Sequence, residues 1–399
     1  MKYIVLLCDG MADRPLAQLN NKTPLESANT PNMDMLAVKG TIGMVKSVPD
    51  GLAPGSDVAN LSVLGYDPQK FYTGRSPLEA ASIGVDLSDT DVSFRCNLVT
   101  LSDEENYQDK SMIDYSAGEI STEEARILIK DINEHFKTKE LSFHSGVSYR
   151  HLLLWHDLKE TISLTPPHDI SGQKIKEYLP DNNTIYNMME ESFAFLQNHP
   201  VNQERIRRGK RPANSIWIWG MGKKPALTPF SDKYGIKGAV ISAVDLIKGI
   251  GIISKMDSID VPGATGTVHT NFKGKADAAI DAFRRGTDFV YLHMEAPDEC
   301  GHQFDLPNKI KSIELIDEKV IGPIFHYLNQ THEPFKMLVT PDHPTPVSLG
   351  THTGEPVPFV IYDSRNVRHC NQKYSEKFAR ENGIYIEKGY TLMDHFIRE

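Results

Sequence analysis

The sequence predicts an α/β fold in which a mostly parallel sheet, flanked by helices, carries a second, inserted α/β domain of the α+β kind. Three short apolar runs, at residues 3–8, 289–293 and 337–340, have the composition of strands buried on both faces of a parallel sheet. About 280 residues separate the first two runs, far more than a strand-to-helix connection needs. A chain of 399 residues also exceeds one ordinary core. Together these observations predict one split domain and one insertion.

The two crossings between the domains are expected where glycine makes the chain flexible. Gly74 marks the first crossing, and the glycines of residues 266–274 mark the second. The expected split domain therefore comprises residues 1–73 and 274–399, and the expected inserted domain comprises residues 74–273. Each is long enough to bury a core of its own.

The inserted stretch contains strand and helix patterns of its own. Apolar and β-branched runs predict strands, and apolar residues at helical spacing predict a helix. Ser121 or Thr122 caps that helix, and Gly220 with Gly222 predicts a turn after the last strand. The expected elements are strands at 91–99, 151–155 and 215–219 and a helix at 122–136.

The composition indicates a globular protein that acts on a small substrate. The chain is 40% hydrophobic and 24% charged, and its formal net charge of −10 disfavours a nucleic-acid partner. The first apolar run is too short for a signal peptide, and no run approaches the roughly 20 apolar residues of a membrane span, so we expect a cytoplasmic protein without a membrane partner. The oligomeric state is open. Cysteines without paired spacing predict reduced thiols at Cys8, Cys96, Cys300 and Cys370.

Acidic residues and histidines follow directly on the three predicted strands. Asp9 follows the first, Asp298 the second, and Asp342 with His343 the third. Because ligands bind outside the carboxyl ends of parallel strands, we expect these side chains to meet in one crevice. His302 lies one helical turn after Asp298 and could share an ion with it, although surface pairs with this spacing are common. An acid and an imidazole that end an apolar strand require a compensating partner more strongly.

His352 adds a further imidazole, in a loop before an apparent strand at 359–362. By itself it is compatible with an ordinary loop histidine. Taken with the other clusters, it completes a set of carboxylate and imidazole groups that suits a divalent ion such as Mn, Mg, Zn or Co.

Ser56 lies between a turn-rich loop and the helical apolar spacing of residues 58–64. Free backbone N–H groups and the helix dipole at that position favour a phosphate or a developing alkoxide. The alternative is a serine that only caps the helix. Two metal ions would activate the hydroxyl and neutralise the oxygens of an in-line displacement. The sequence therefore predicts two-metal phosphotransfer with Ser56 as the nucleophile.

These motifs resemble those of the alkaline phosphatase superfamily and, more narrowly, of the archaeal-type, cofactor-independent phosphoglycerate mutases. The residues that carry the resemblance are Asp9-Gly10-Met11, Gly55-Ser56-Asp57-Val58-Ala59-Asn60-Leu61, Asp298 with His302, Asp342-His343 and His352-Thr353. Further matches are Thr30-Pro31-Asn32-Met33-Asp34, Leu64-Gly65-Tyr66-Asp67-Pro68, Gly74-Arg75-Ser76-Pro77-Leu78-Glu79-Ala80, Phe94-Arg95-Cys96-Asn97 and Tyr149-Arg150-His151. The matches extend over most of the chain.

The resemblance implies an alkaline-phosphatase-like fold, two divalent ions and no organic cofactor. The implied ligands are Asp9, Ser56, Asp342 and His343 for one ion and Asp298, His302 and His352 for the other. In the implied reaction, 3-phosphoglycerate donates its phosphoryl group to Ser56, reorients while trapped, and accepts the group on its 2-hydroxyl. This is a step of glycolysis and gluconeogenesis that needs no bisphosphoglycerate.

The inserted domain is expected to exclude water from the phosphoserine and to bind the substrate. The candidate substrate-binding residues are Arg75, Arg95, Asn97, Arg150 and His151. Arginine matches carboxylate and phosphate through its planar fork, but each arginine could instead form a surface ion pair. His151 could be a proton shuttle or a satisfied core histidine, and packing alone could explain Asn97.

Two other functions stay open at the level of sequence. A kinase for a small hydroxylated metabolite, such as a homoserine-type kinase, could use the same metal core, although the chain has neither a Walker A motif nor a Rossmann glycine fingerprint. A catalytically silent binding protein could keep the fold. The presence of all seven metal-site residues opposes that last alternative.

Overall fold

A computed structural model of the chain describes residues 1–368 and 373–399. Within these residues the chain divides into two units. The main unit comprises Met1–Tyr72 and Ala226–Glu399, and the inserted unit comprises Thr73–Pro225. The strands are β1 (Lys2–Cys8), β2 (Thr41–Val45), β3 (Val92–Leu101), β4 (Met112–Asp114), β5 (Leu141–Val147), β6 (Arg150–Trp155), β7 (Ser215–Lys223), β8 (Gly238–Ile241), β9 (Asp257–Ile259), β10 (Phe289–Met294), β11 (Phe335–Thr340), β12 (Val357–Asp363) and β13 (Ile384–Ile386). The α-helices are α1 (Pro24–Ser27), α2 (Pro31–Lys39), α3 (Ser56–Val63), α4 (Pro68–Phe71), α5 (Ser76–Ser82), α6 (Thr122–Phe136), α7 (Asn183–Leu196), α8 (Pro200–Arg207), α9 (Phe230–Tyr234), α10 (Asp245–Ile253), α11 (Phe272–Arg284), α12 (Ala296–His302), α13 (Leu306–Ile316), α14 (Gly322–Thr331), α15 (Glu376–Asn382) and α16 (Leu392–Arg398).

The main unit is built on a sheet with the strand order β13-β2-β12-β11-β1-β10-β8-β9. Neighbouring strands are parallel except at β12, which runs antiparallel to both β11 and β2. The predicted mostly parallel α/β fold is therefore confirmed. The three strands predicted from apolar runs are β1, β10 and β11, and they are neighbours at the centre of the sheet. Their carboxyl ends consequently lie side by side.

Burial explains why these central strands carry continuous apolar runs. Strands β10 and β11 are buried at every position, and β1 at all but its first. Ile4 and Leu6 of β1 belong to one apolar core with Ala276 of α11 and Ile313 of α13. A fully buried aliphatic side chain of this kind contributes roughly 1.5–3 kcal/mol. The buried sheet thus fixes where the loops at its carboxyl edge begin.

The inserted unit contains an antiparallel sheet in which β3 pairs with β4, β6 and β7, and β5 pairs with β6. Strands β3 and β6 confirm the predictions at 91–99 and 151–155. Helix α6 confirms the predicted helix at 122–136, and the Ser121 side chain caps it by accepting a hydrogen bond from the Glu124 N–H. The turn predicted at Gly220 and Gly222 is wrong, because β7 continues through both glycines to Lys223. Gly220 takes a φ of 63°, which lets the strand bend without ending.

The second crossing between the units lies at residues 225/226 and not at 273/274. The segment between these positions contributes β8 and β9 to the main sheet, where Ala239 of β8 pairs with Val290 of β10. Strand β8 has only four residues, too few for a periodic pattern in the sequence. The first crossing, at 72/73, lies one residue from its predicted place.

Cys8, Cys96 and Cys300 are buried, free thiols, whereas Cys370 lies outside the described residues.

In residues 1–368 and 373–399, no helix combines the length and the apolar character that crossing a membrane would demand. The segment 182–211, whose role the sequence leaves open, folds mainly as helices α7 and α8.

A buried acidic residue begins helix α15 in the main unit. The Glu376 carboxylate accepts hydrogen bonds from the Asp13 N–H at 3.2 Å and from the Thr23 hydroxyl at 2.8 Å. Burial raises the pKa of Glu376 from its usual 4.5 to about 7, because these hydrogen bonds offset only part of the cost of burying the charge. The folded protein therefore holds a proton here that the unfolded chain releases at lower pH.

Glu376→Gln is expected to raise the free energy of unfolding relative to the wild type above pH 7. Between pH 4.5 and about 7 the folded wild type loses stability as pH rises, by roughly 3 kcal/mol for about 2.5 pKa units at ~1.4 kcal/mol each. Glutamine keeps the shape of the side chain and stays neutral. Thermal unfolding of both proteins at about pH 5 and about pH 8 tests this expectation. An identical pH dependence of the two proteins would contradict it.

Candidate metal and nucleophile site

Three neighbouring strand ends bring the predicted acidic residues and histidines together in the main unit. Asp9 follows β1, Asp342 and His343 follow β11, and Asp298 lies in α12 after β10. Ligand atoms of Asp9, Asp342 and His343 lie within 4.8 Å of one another, as do those of Asp298, His343 and His352. The structure thus brings these predicted side chains together.

The first group, which consists of Asp9, Asp342 and His343, contains a buried carboxylate oxygen that lacks a hydrogen bond. Asp9 Oδ1 is buried and has no hydrogen-bond partner among the described residues. His343 Nε2 is 3.6 Å from this oxygen, 3.5 Å from Asp342 Oδ2 and 3.2 Å from Ser56 Oγ. Burial and the neighbouring carboxylates of Asp342 and Asp298 raise the pKa of Asp9 well above its usual value. A cation bound here would coordinate the unpaired Asp9 oxygen and offset the repulsion between the carboxylates.

The second group, which consists of Asp298, His302 and His352, places two imidazoles against one carboxylate. His302 Nε2 and His352 Nε2 are 2.9 Å apart, and each lies 3.3 Å from an oxygen of Asp298. The hydrogen bond with Asp298 raises the pKa of His302 to about 9. Burial alone would raise the pKa of Asp298, but hydrogen bonds from His302 and His352 lower it well below its usual range. Ring nitrogens that converge on each other and on a carboxylate need a proton or a metal ion between them, and this donor set fits a divalent ion.

Each of the three carboxylates is also held by an uncharged donor. His293 Nε2 lies 2.9 Å from Asp9 Oδ2, and burial lowers the pKa of His293 to about 3, so the neutral imidazole donates. The Asn60 side-chain amide donates to Asp342 Oδ2 at 2.8 Å. The Thr345 hydroxyl donates to Asp298 Oδ1. Such donors fix the orientation of the three carboxylates.

The hydrogen bonds of His343 assign its tautomer. Thr345 Oγ1 already donates to Asp298 and lies 3.3 Å from His343 Nδ1, so it accepts a hydrogen bond from that nitrogen. Burial lowers the pKa of His343, which keeps the ring neutral. The lone pair of His343 Nε2 therefore faces Ser56 Oγ and the carboxylates of the first group.

Ser56 is the first residue of helix α3, and Gly55 occupies the N-cap position. The Ser56 hydroxyl does not cap the helix but lies 3.2 Å from His343 Nε2. The capping alternative is thereby excluded. The hydroxyl is instead at the positive end of the helix dipole, beside the first group.

Four of the five candidate substrate-binding residues share one face of the inserted sheet or its adjoining helix. Glu79 of α5 pairs with Arg75 Nε at 3.1 Å and with Arg95 Nε at 2.9 Å. The Arg95 guanidinium lies 4.1 Å from the centroid of the Trp219 ring. Trp219 Nε1 donates to Asn97 Oδ1 at 3.0 Å, and Asn97 pairs across the sheet with the fourth candidate, Arg150, which is exposed.

His151 does not lie with these residues. It pairs with Cys96 in the ladder, one position along from the pair of Asn97 and Arg150, and successive side chains of a strand point to opposite faces. His151 is buried, and its Nδ1 accepts a hydrogen bond from the Gly146 N–H. Burial lowers its pKa to about 3. Its burial favours a core histidine over a proton shuttle, although its Nε2 has no hydrogen-bond partner among the described residues.

An exposed histidine that the sequence analysis did not single out joins the arginine cluster. The His168 ring packs against the edge of Trp219 at 5.2 Å between centroids and against Tyr115 at 6.0 Å. Burial lowers its pKa, and the nearby charges of Arg95 and Arg75 lower it further. It lies in the 3₁₀ helix Pro167–Ile170, which is too short to give a periodic pattern in the sequence.

Comparisons with known proteins indicate the family of the chain. The sequence matches the model of the family described as 2,3-bisphosphoglycerate-independent phosphoglycerate mutase over residues 37–202. A relative of that name from Methanosarcina barkeri is 48% identical, with 100% of both chains covered. The chain belongs to this family. Another relative of the same name, from Methanothrix thermoacetophila, is 45% identical with 98% of both chains covered.

Solved structures agree with the family. The cofactor-independent phosphoglycerate mutase of Thermoplasma acidophilum is 29% identical, has a TM-score of 0.67, and aligns over 100% of this chain and 99% of its own. A protein of Pyrococcus horikoshii is 30% identical with a TM-score of 0.82, over 100% of this chain and 96% of its own. The predicted family and the phosphoglycerate mutase function are thereby confirmed. The kinase alternative is not favoured by these relatives.

Proposed function

We propose that this phosphoglycerate mutase carries the phosphoryl group on Ser56 while glycerate reorients between its 3- and 2-phosphorylated forms. One observation carries the proposal: Ser56 Oγ lies at the start of α3 and 3.2 Å from His343 Nε2, within the group of Asp9, Asp342 and His343. A hydroxyl so placed lies beside the proposed metal ligands, where a bound cation would lower its pKa, and the helix dipole favours its negative charge.

Two divalent ions are part of the proposal. Asp9, Ser56, Asp342 and His343 would hold one ion, and Asp298, His302 and His352 the other. The ions, when bound, would neutralise charge on the serine and phosphoryl oxygens. Carboxylate and imidazole ligands suit Mn, Mg, Zn or Co. His293, Asn60 and Thr345 orient the carboxylates of Asp9, Asp342 and Asp298 through hydrogen bonds.

We assign substrate binding to Arg75, Arg95, Asn97 and Arg150 of the inserted unit. Arginine offers a planar fork of donors to carboxylate and phosphate. The Arg95 guanidinium also lies against the Trp219 ring. Glycerate must be retained so that it can take the phosphoryl group back from Ser56. Water must be kept out, because hydrolysis of the phosphoserine would turn the mutase into a phosphatase. The inserted unit is therefore proposed to bind the substrate and to exclude water. The substrate is a small phosphorylated metabolite, and the cytoplasmic location stays a prediction.

Arg150→Gln and Arg75→Gln are each expected to raise KM for 3-phosphoglycerate about tenfold, because each removes a charged donor to an anion at roughly 1.5 kcal/mol. Steady-state kinetics of each variant measures the effect. Arg126→Gln is the matched control, since Arg126 is an exposed arginine of α6 in the same unit. Equal KM values for all three variants would contradict the assignment.

Phosphorus NMR tests the proposed function directly. Purified protein with Mn²⁺ and 3-phosphoglycerate, but without nucleotide or bisphosphoglycerate, is expected to form 2-phosphoglycerate. Release of inorganic phosphate instead would indicate a phosphatase. Addition of ATP with hydroxylated metabolites such as homoserine tests the kinase alternative, and no turnover of any phosphate ester would favour a silent protein.

A further inference from the structure

A buried asparagine links the nucleophile to a predicted metal ligand in the main unit. Asn60 lies one helical turn after Ser56 in α3 and is fully buried. Its side-chain nitrogen donates to the Ser56 carbonyl oxygen at 2.8 Å and to Asp342 Oδ2 at 2.8 Å. Both N–H hydrogens of the amide are therefore in use.

A tyrosine of β10 holds the other end of this amide. The Tyr291 hydroxyl donates to Asn60 Oδ1 at 2.6 Å, and Tyr291 is fully buried at the centre of the sheet. If the amide were flipped, its oxygen would face the Ser56 carbonyl and the Asp342 carboxylate, which are both acceptors. The three hydrogen bonds thus allow one orientation.

This arrangement connects three separate segments of the chain. Tyr291 belongs to β10, Ser56 begins α3, and Asp342 follows β11. In a close-packed interior, a displacement of the amide cannot be absorbed locally, so it changes the separation of Ser56 from Asp342. Packing alone would need only a group of this volume, whereas this amide uses both N–H hydrogens and its oxygen in hydrogen bonds.

We propose that Asn60 is a positioning residue that fixes the Ser56 nucleophile against the metal ligand Asp342, and that Tyr291 sets the orientation of its amide. The inference rests on the proposed roles of Ser56 and Asp342. It adds two residues that act on the reaction through Ser56 and Asp342.

Tyr291→Phe tests the inference, because it removes one hydroxyl and leaves the ring. We expect a roughly tenfold lower kcat, a KM within about twofold of the wild type, and about tenfold weaker binding of one of two Mn²⁺ ions to metal-stripped protein by titration calorimetry. Asn60→Asp, which keeps the size of the side chain but loses the donors to Asp342 and to the Ser56 carbonyl, is expected to lower kcat by about 100-fold.

Tyr66→Phe is the matched control in the same unit. The Tyr66 hydroxyl is also buried and donates to a main-chain oxygen, that of Thr228, at 2.8 Å. The inference is supported if Tyr291→Phe loses kcat and Mn²⁺ affinity while both tyrosine variants melt at similar temperatures. It is overturned if the two variants match in kcat and Mn²⁺ binding. If the wild type binds no Mn²⁺, or if Ser56→Ala keeps its activity, the proposed function fails first and the inference with it.

Discussion

Ser56→Ala is expected to lower kcat for phosphoglycerate isomerisation by at least about 10⁴-fold, because no other group replaces a covalent nucleophile. The hydroxyl makes its observed contact with His343 Nε2, at the start of α3. Alanine favours helices and leaves the helix intact. The loss should therefore be chemical and not structural. Single-turnover assays with phosphorus-labelled substrate should also show no phosphorylated protein.

Ser62→Ala provides the control for this substitution. Ser62 lies in the same helix, is fully buried, and its hydroxyl has no hydrogen-bond partner among the described residues. Removal of the Ser62 hydroxyl should leave kcat within about twofold of the wild type, because it breaks no hydrogen bond. Activity retained by Ser56→Ala would show that another group receives the phosphoryl group.

The sequence was sufficient to predict the central sheet and the groups at its edge because both follow from local rules. Continuous apolar runs mark strands buried on both faces, and the residue after such a strand lies at the carboxyl edge. Asp9, Asp342 and His343 each stand at that place, so their convergence needed no knowledge of the rest of the chain. Helix α6 was equally local, since cap and spacing define it.

Features that depend on distant partners could not be predicted in this way. His293 was assigned only to a strand, although it holds Asp9, because its contact spans 284 residues of sequence. The pairing of the short strand β8 with β10 moved the second crossing to 225/226 for the same reason. Arg150 and His151 are adjacent in sequence, yet strand alternation directs them to opposite faces. Which face of the sheet is buried depends on how the whole inserted unit packs.

Asp298→Asn is expected to lower the number of tightly bound Mn²⁺ ions from two to one per chain. Its carboxylate is the single anion that faces both His302 Nε2 and His352 Nε2 in the second group, at 3.3 Å from each. Asparagine keeps the volume and an oxygen for Thr345, so the change removes charge and little else. We expect kcat to fall about 10²- to 10³-fold, the usual cost of losing one electrostatic contributor to the transition state.

The metal readout separates this effect from general damage to the main unit. Saturating Mn²⁺ stabilises whatever form binds it, so the rise in melting temperature on adding Mn²⁺ should be smaller in Asp298→Asn than in the wild type. Asp363→Asn, which removes a carboxylate from the end of β12 where it pairs with Arg365, should keep both ions and the full rise. If Asp298→Asn also binds two ions with unchanged affinity, the second ion is not held by Asp298. Because Asp9 Oδ1 and Asp342 would be intact in this variant, one remaining ion would place the first group as an independent site beside Ser56.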